Sequence, residues 1–118
     1  MSALLLATLI SDPQMTQVLL EGRDKETRVE MVFRGHPTFQ SFRSHQPNIL
    51  VVDVVGAGLP AGFPSEVDVI KGVTLHFSEH HGSRTQLMRI RLTLPPRMEP
   101  QLTTGERAIN LTLPRGST

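Results

Sequence analysis

The chain has 118 residues and a mass of 13.1 kDa, the size of one ordinary domain. Leu, Ile, Val and Phe account for 35 of the 118 residues, well above the share in disordered chains, so a hydrophobic core can form. Twelve basic and eleven acidic residues leave a formal charge of +1, which argues against a dedicated binder of nucleic acids or anionic membranes. The absence of cysteine excludes disulfides, thiolate metal sites and cysteine nucleophiles.

The first feature in chain order is an apolar run at residues 3–10, which is too short to cross a membrane, because a spanning helix needs about 20 apolar residues. No Lys or Arg precedes this run and no small-residue cleavage site follows it, so we expect no export signal in this chain. We interpret residues 4–10 as a strand and expect no direct membrane insertion by the domain. A second strand is predicted at residues 15–21, followed by a polar hairpin loop at residues 22–26.

Alternation of apolar and polar residues predicts most of the remaining strands. It is found in residues 29–33, 73–77, 88–94 and 109–113. Residues 49–55 are apolar on both faces except at Asp53, which is typical of a central strand. No stretch keeps a helical spacing of apolar residues for more than two turns, so the predicted fold class is all-β.

Glycine, proline and short polar runs separate these strands. Turns are predicted at residues 80–83 and 103–106. Residues 56–65, rich in glycine and proline, form the longest irregular stretch, and its length suits a connection within one domain better than a linker between two.

The sequence on either side of this stretch repeats weakly when it is shifted by 59 positions. The matched pairs are Val29 with Met88, Met31 with Ile90, Phe33 with Leu92, Pro37 with Pro96, Phe39 with Met98, Leu50 with Ile109, Val52 with Leu111 and Val54 with Leu113. Because the register is unbroken, we predict two similar β-units packed face to face, as a small β-sandwich of two similar sheets related by an internal pseudo-repeat. We expect one domain over residues 1–118, with strand units at about 4–55 and 67–113 joined by residues 56–66, and structural roles for Pro37 and Pro96.

Three segments carry a resemblance to a known family. Residues 46–57 (QPNILVVDVVGA) resemble the signature of the AMIN domain family, in which a proline, a basic residue, an apolar strand, an aspartate and a Gly/Ala-containing exit follow a strand pair. Residues 86–92 resemble the family's second conserved strand, and residues 107–113 resemble its closing strand. The chain departs from the family at Asn48, where the family usually has an arginine.

The resemblance implies a periplasmic, non-catalytic module that binds peptidoglycan. AMIN domains occur in type IV pilus secretins and in N-acetylmuramoyl-L-alanine amidases. We therefore expect a module that localises an attached secretin, or an amidase, at the cell wall as part of an outer-membrane-associated complex. Other secretin or pilus-assembly proteins are possible further partners. One alternative stays open, a protein–protein assembly module that pairs through an exposed strand edge.

One motif points to different chemistry. His76, Glu79 and His80 match H-x-x-E-H, a zinc-protease pattern that needs both imidazoles on one helical face. In a strand the two histidines would lie about 13 Å apart, at ~3.3 Å per residue, which is too far to share a metal ion. The sequence also lacks a G-x-S-x-G elbow and a Gly-rich phosphate loop. We therefore predict no enzymatic activity, no metal and no cofactor, and a tightly held stoichiometric zinc would contradict this.

Arginines supply the main candidate binding residues, since ten of the twelve basic residues are Arg. Arg89 and Arg91 share one face of a predicted strand, and Arg84 lies in the turn before it. Guanidinium groups suit bidentate recognition of carboxylates, such as those on muramyl peptide stems. The alternative is a solvated strand face whose charges discourage edge pairing.

Other residues complete the candidate site. Phe39 and Phe42 are three positions apart in an extended segment and point to opposite faces, so we expect one of them to be exposed. Asp53 is expected to be structural, because a carboxylate in an apolar strand must accept backbone N–H bonds or pair with an arginine of a neighbouring strand. The candidate ligand-binding residues are Arg84, Arg89, Arg91, Asn48 and Phe42.

Overall fold

The computed structural model describes residues 14–22, 25–82 and 86–114, and these residues form nine strands and no helix. The described residues therefore include no helix that is long and apolar enough to cross a membrane. The strands are β1 (Gln14–Gly22), β2 (Glu26–Arg34), β3 (Phe39–His45), β4 (Asn48–Val55), β5 (Glu66–Ile70), β6 (Val73–His81), β7 (Gln86–Thr93), β8 (Gln101–Thr104) and β9 (Ala108–Pro114). The all-β prediction is confirmed. The strand predicted at residues 4–10 lies outside the described residues.

The strands form two antiparallel sheets. Sheet A has the order β1-β2-β9-β8, and sheet B has the order β3-β4-β7-β6-β5. Alternate residues of the central strands face inward and bury one continuous core, as the period-2 pattern predicts. The fully or nearly fully buried core residues include Val29, Met31, Phe33, Leu50, Val52, Val54, Leu75, Phe77, Met88, Ile90, Leu92, Ile109, Leu111 and Leu113. The small β-sandwich is confirmed.

The pseudo-repeat is present in the strand order as well as in the sequence. Adding 59 to the bounds of β1, β2 and β4 gives those of β6, β7 and β9 to within one residue. The same offset converts the order of sheet A into β6-β7-β4-β3, which is sheet B read from its other end without β5. Each sheet therefore combines strands that precede and strands that follow the connecting segment (residues 56–65). The prediction that the two units pack face to face is therefore wrong, because the units exchange strands and are interlaced.

Several predicted turns are wrong at their edges, because strand pairing continues beyond the alternating core. His80 and His81, predicted as turn residues, belong to β6 and pair with Leu87 and Gln86. Both side chains are exposed, so these residues do not continue the alternation of apolar and polar residues that predicts a strand.

The turn predicted at residues 103–106 has the same error, because Thr103 and Thr104 belong to β8. Gly22 and Glu26, predicted as loop residues, are the last residue of β1 and the first of β2. The short edge strand β5 was not predicted at all.

The connecting segment crosses one end of sheet B and is held there by hydrogen bonds. The Gly56 N–H donates to the Gln86 carbonyl at 2.6 Å. The Leu59 N–H donates to Glu79 Oε2, also at 2.6 Å. Phe63 packs edge-to-face on the buried Phe77 with 5.2 Å between ring centroids. The segment is irregular, as predicted, yet it is fixed to β6 and β7.

Candidate binding face of sheet B

The outer face of sheet B contains a row of side chains that runs across all five strands. Directly opposite residues of antiparallel strands share a face, so the register defines the row. Phe42 lies opposite Val51, Val51 opposite Arg91, and Arg91 opposite His76. The row ends at Glu66 on the edge strand β5, opposite His76. The next row along the strands places Asp53 opposite Arg89 and Arg89 opposite Ser78. We call this surface the Arg91 face, defined by Phe42, Val51, Asp53, His76, Ser78, His80, Arg89 and Arg91.

Arg89 and Asp53 form a bidentate ion pair within this face. Arg89 Nε donates to Asp53 Oδ1 at 2.8 Å, and Arg89 Nη2 donates to Asp53 Oδ2 at 3.0 Å. The Asp53 side chain is 10% exposed and the Arg89 side chain is 44% exposed. The hydrogen bonds to Asp53, and then its negative charge, raise the pKa of Arg89 above its ordinary value. This is the pairing with a neighbouring-strand arginine that we considered for Asp53 from the sequence.

Arg91 differs from Arg89 in lacking an acidic neighbour across the strand. It is exposed, and its guanidinium makes no hydrogen bond or ion pair with any of the described residues. With Arg89 and three β6 side chains it lines a shallow depression of about 280 Å³; the β6 residues are His76, Ser78 and His80. The unpaired cation on this face is therefore accessible to a ligand in solution.

The polar side of the depression is made by β6. Ser78 Oγ and His80 Nε2 lie 3.0 Å apart, within hydrogen-bonding distance. His76 Nδ1 lies 3.9 Å from Glu66 Oε1 on the edge strand β5. These groups can donate or accept hydrogen bonds beside the guanidinium. Neither the H-x-x-E-H motif nor the turn predicted at residues 80–83 indicates a binding role for these histidines beside Arg91, although the alternation in residues 73–77 already places His76 on the wet face.

The remaining candidate residues lie in different places. Phe42 is 51% exposed and belongs to the Arg91 face, whereas Phe39 is half-buried against the core. Asn48 is buried at the end of β4, where its amide donates to the carbonyls of Pro95 at 2.6 Å and Met98 at 2.9 Å. Its side chain therefore holds the turn after β7 and does not belong to the Arg91 face. Arg84 lies outside the described residues.

The two prolines that we matched in the repeat occupy connections after equivalent strands. Pro37 is buried between β2 and β3, and Pro96 is exposed between β7 and β8. The Met98 N–H donates to the Pro95 carbonyl at 3.3 Å, so Pro96 takes the second position of a four-residue turn, where its fixed φ is favourable.

The strand geometry separates the members of H-x-x-E-H. His76 and His80 lie on the outer face of β6, and Glu79 has the opposite parity and accepts the Leu59 N–H. Within the described ranges, no three His, Asp or Glu side chains are grouped closely enough to hold a metal ion. The arrangement needed for metal-assisted hydrolysis is therefore not assembled by these three residues.

The Arg91 face presents an unpaired guanidinium in a shallow depression, and such a group can bind an anion. A comparison with protein-family models matches the AMIN domain over residues 17–104, about three quarters of the chain. The chain therefore belongs to the AMIN domain family, as the resemblance in the sequence indicated. No curated protein and no solved structure gave a match. AMIN domains are peptidoglycan-binding and localisation modules of periplasmic cell-envelope proteins.

Proposed function

We propose that this domain binds peptidoglycan through the Arg91 face and thereby localises the protein that carries it at the cell wall. Membership of the AMIN family supports peptidoglycan as the ligand. The observation that supports the face is the exposed Arg91 guanidinium, which has no partner among the described residues and lines a depression on the outer side of sheet B. Such a surface can lie against an extended polymer without enclosing it.

Within this proposal the host protein is a type IV pilus secretin in an outer-membrane-associated complex, with an amidase as the alternative host. The support for both hosts is the resemblance of residues 46–57 to the AMIN signature, because AMIN domains occur in both classes of protein. Capture of the full-length protein from detergent-solubilised envelopes distinguishes the two hosts. A secretin host gives a large multimer from the outer-membrane fraction together with pilus-assembly proteins, and an amidase host gives a protein that releases peptide stems from the glycan strands.

The direct test is co-sedimentation of the domain with isolated peptidoglycan sacculi at low and at physiological salt. We expect the wild-type domain to sediment and Arg91→Ala to lose most of this binding. Arg91 is the informative arginine, because Arg89→Ala also leaves the buried Asp53 carboxylate unpaired. Arg107→Ala is the matched control, since Arg107 is exposed and its side chain makes no hydrogen bond or ion pair with the described residues.

The experiment tests peptidoglycan binding and its assignment to the Arg91 face separately. If Arg91→Ala sediments as well as the wild type and Arg107→Ala, peptidoglycan binding stands and the Arg91 face is the wrong site. If the wild-type domain stays in the supernatant at both salt concentrations, peptidoglycan binding itself is wrong.

A second candidate function is assembly with another envelope protein through a strand edge. It is favoured by β1, a nine-residue edge strand of sheet A that exposes Leu19 and Leu20 at 44% and 46%. Long edge strands with exposed apolar residues are ready to pair with another chain. Arg91→Ala leaves this edge untouched, so partner binding that survives Arg91→Ala and is lost in Leu20→Lys supports the assembly function.

A further inference from the structure

We propose that the group recognised at the Arg91 face is a carboxylate of the peptide stems, and that each domain has one such site. This inference rests on the proposed function and specifies which part of the polymer is bound. Peptidoglycan offers two chemistries, neutral N-acetylated sugars in its glycan strands and carboxylates on its stems. The side chains of the face distinguish between them.

The charge on the face favours a carboxylate. Arg89 is neutralised by Asp53 through two short hydrogen bonds, which leaves the Arg91 guanidinium as the uncompensated cation beside the depression. A guanidinium offers two parallel N–H donors that match the two oxygens of a carboxylate. A sugar hydroxyl gains much less from a positive charge than a carboxylate does.

The apolar part of the face is small, which also fits a peptide. Phe42 is the one exposed phenylalanine among the described residues, and two strand spacings of ~4.8 Å place it about 10 Å from Arg91. Val51 lies between them and is half-buried. One exposed ring beside a valine is a small apolar surface, which suits a methyl group such as that of alanine. Sugar-binding sites usually stack a whole sugar ring on an aromatic platform.

The pseudo-repeat shows that only one of the two sheets carries this arrangement. Subtracting 59 gives the equivalent positions in sheet A, where Val32 stands for Arg91 and Gln17 for His76. Glu30 stands for Arg89, so an acidic residue replaces one of the arginines. Sheet A therefore has no cation at the position equivalent to Arg91 and has an acidic residue at the position equivalent to Arg89, so we expect one site per domain.

The test uses sacculi whose carboxylates have been converted to neutral amides with a carbodiimide and ethanolamine, compared with mock-treated sacculi. Amidation removes the negative charges and leaves the glycan strands in place. We expect amidation to weaken binding of the wild-type domain at least about ten-fold, the loss typical of removing a charge-assisted hydrogen-bonded pair. Arg91→Ala should bind both preparations equally weakly, because the partner of the carboxylate is already gone.

A charge-conserving variant separates the site from the overall charge. Arg91→Ala combined with Val32→Arg moves the guanidinium to the equivalent position of sheet A and keeps the net charge. We expect this variant to bind mock-treated sacculi as weakly as Arg91→Ala. Recovery of wild-type binding would overturn the inference, since any surface arginine would then suffice. Far-UV circular dichroism of each variant verifies that it is folded, and Arg91→Lys, which keeps the charge without the paired donors, should show intermediate binding.

The remaining outcomes are decisive. Equal binding of the wild type to amidated and mock-treated sacculi overturns the carboxylate inference and leaves peptidoglycan binding intact. Binding to chitin, an uncharged polymer of N-acetylated sugar, as tight as binding to sacculi overturns it as well. If Arg91→Ala binds amidated sacculi more weakly than mock-treated sacculi, the variant still contacts the carboxylates. The contact then lies away from Arg91, which overturns the inference. Failure of the wild type to bind mock-treated sacculi overturns the proposed function and this inference together.

Discussion

The two arginines of β7 have different roles because their neighbours on β4 differ. Arg89 lies opposite Asp53 and is paired, whereas Arg91 lies opposite Val51 and is unpaired. The sequence places both arginines on one face, but it does not show which of them meets Asp53. A register shift of two residues between β4 and β7 would keep every core residue inward and would place Asp53 opposite Arg91. The choice depends on how the whole sheet packs, which alternation alone does not specify.

The Asp53–Arg89 pair predicts an unequal effect of removing its two members. Arg89→Ala leaves a carboxylate that is 10% exposed without a partner, so we expect a loss of about 1–3 kcal/mol in the free energy of unfolding. Asp53→Ala leaves the more exposed guanidinium free to be hydrated, and the expected loss is below about 1 kcal/mol. Denaturant unfolding must be followed by far-UV circular dichroism, because the chain has no Trp or Tyr.

The double variant provides the control. Arg89→Ala with Asp53→Ala removes the unpaired carboxylate, so it should be more stable than Arg89→Ala alone; simple addition of the two losses would contradict the pairing.

The raised pKa of Arg89 also fixes the direction of any pH effect of this guanidinium on stability. A cation whose pKa is raised by folding contributes its full stabilisation below its unfolded pKa and loses it only in strong alkali. The guanidinium therefore adds no pH dependence near neutrality.

At the scale of strands and connections, alternation located the strands that cover the core and failed where strands extend beyond it. Residues 80–81 and 103–104 are paired in hairpins without burying apolar side chains, so nothing in their pattern separates them from turns. The connecting segment was correctly predicted to be irregular. Its attachment to β6 and β7 was not predicted, because the Leu59 N–H and the Glu79 carboxylate meet only after both strands are in place.

Glu79 is predicted to hold the connecting segment in place. Its Oε2 accepts the Leu59 N–H at 2.6 Å, and hydrogen bonds to charged groups are stronger than those between neutral groups. We expect Glu79→Ala to speed hydrogen exchange of the Leu59 amide roughly ten-fold, with little effect on amides of the core strands. Measurement of exchange residue by residue by NMR tests this. Glu79→Gln keeps an acceptor oxygen, so its Leu59 exchange rate should lie between those of the wild type and Glu79→Ala. An unchanged Leu59 exchange rate in Glu79→Ala would contradict the assigned role.

The arrangement of the whole molecule follows from the exchange of strands between the two units. Alternation and the 59-residue offset predict two similar sheets, and both were found. They do not predict which strands pair, because a strand that is apolar on one face can pair with any neighbour that continues that face. In the folded chain β2 pairs with β9 and β4 pairs with β7, so the central pairing of each sheet joins the first unit to the second.

This interlacing predicts that neither unit is stable without the other. If the chain were cut at Gly62 and the two units were separated, β2 and β4 would each lose their partner strand. The first unit would also lose the inward-facing side chains of β7 and β9 from its core. Gly62 is a suitable place for an inserted protease site, since it is an exposed residue of the irregular connecting segment. We expect the cleaved protein to stay together in native buffer and to elute as one species.

The separated fragments test the same point more strictly. After separation in denaturant, each fragment alone should lack the far-UV signal of a sheet, and mixing the two should restore it, because each supplies the partner strands that the other lacks. Any structure in one fragment alone should increase with its concentration, since the pseudo-repeat allows β2 of one copy to pair with β4 of another. A single fragment that forms a stable monomeric sheet at high dilution would contradict the interlaced arrangement, because its stability would not depend on strands of the other unit.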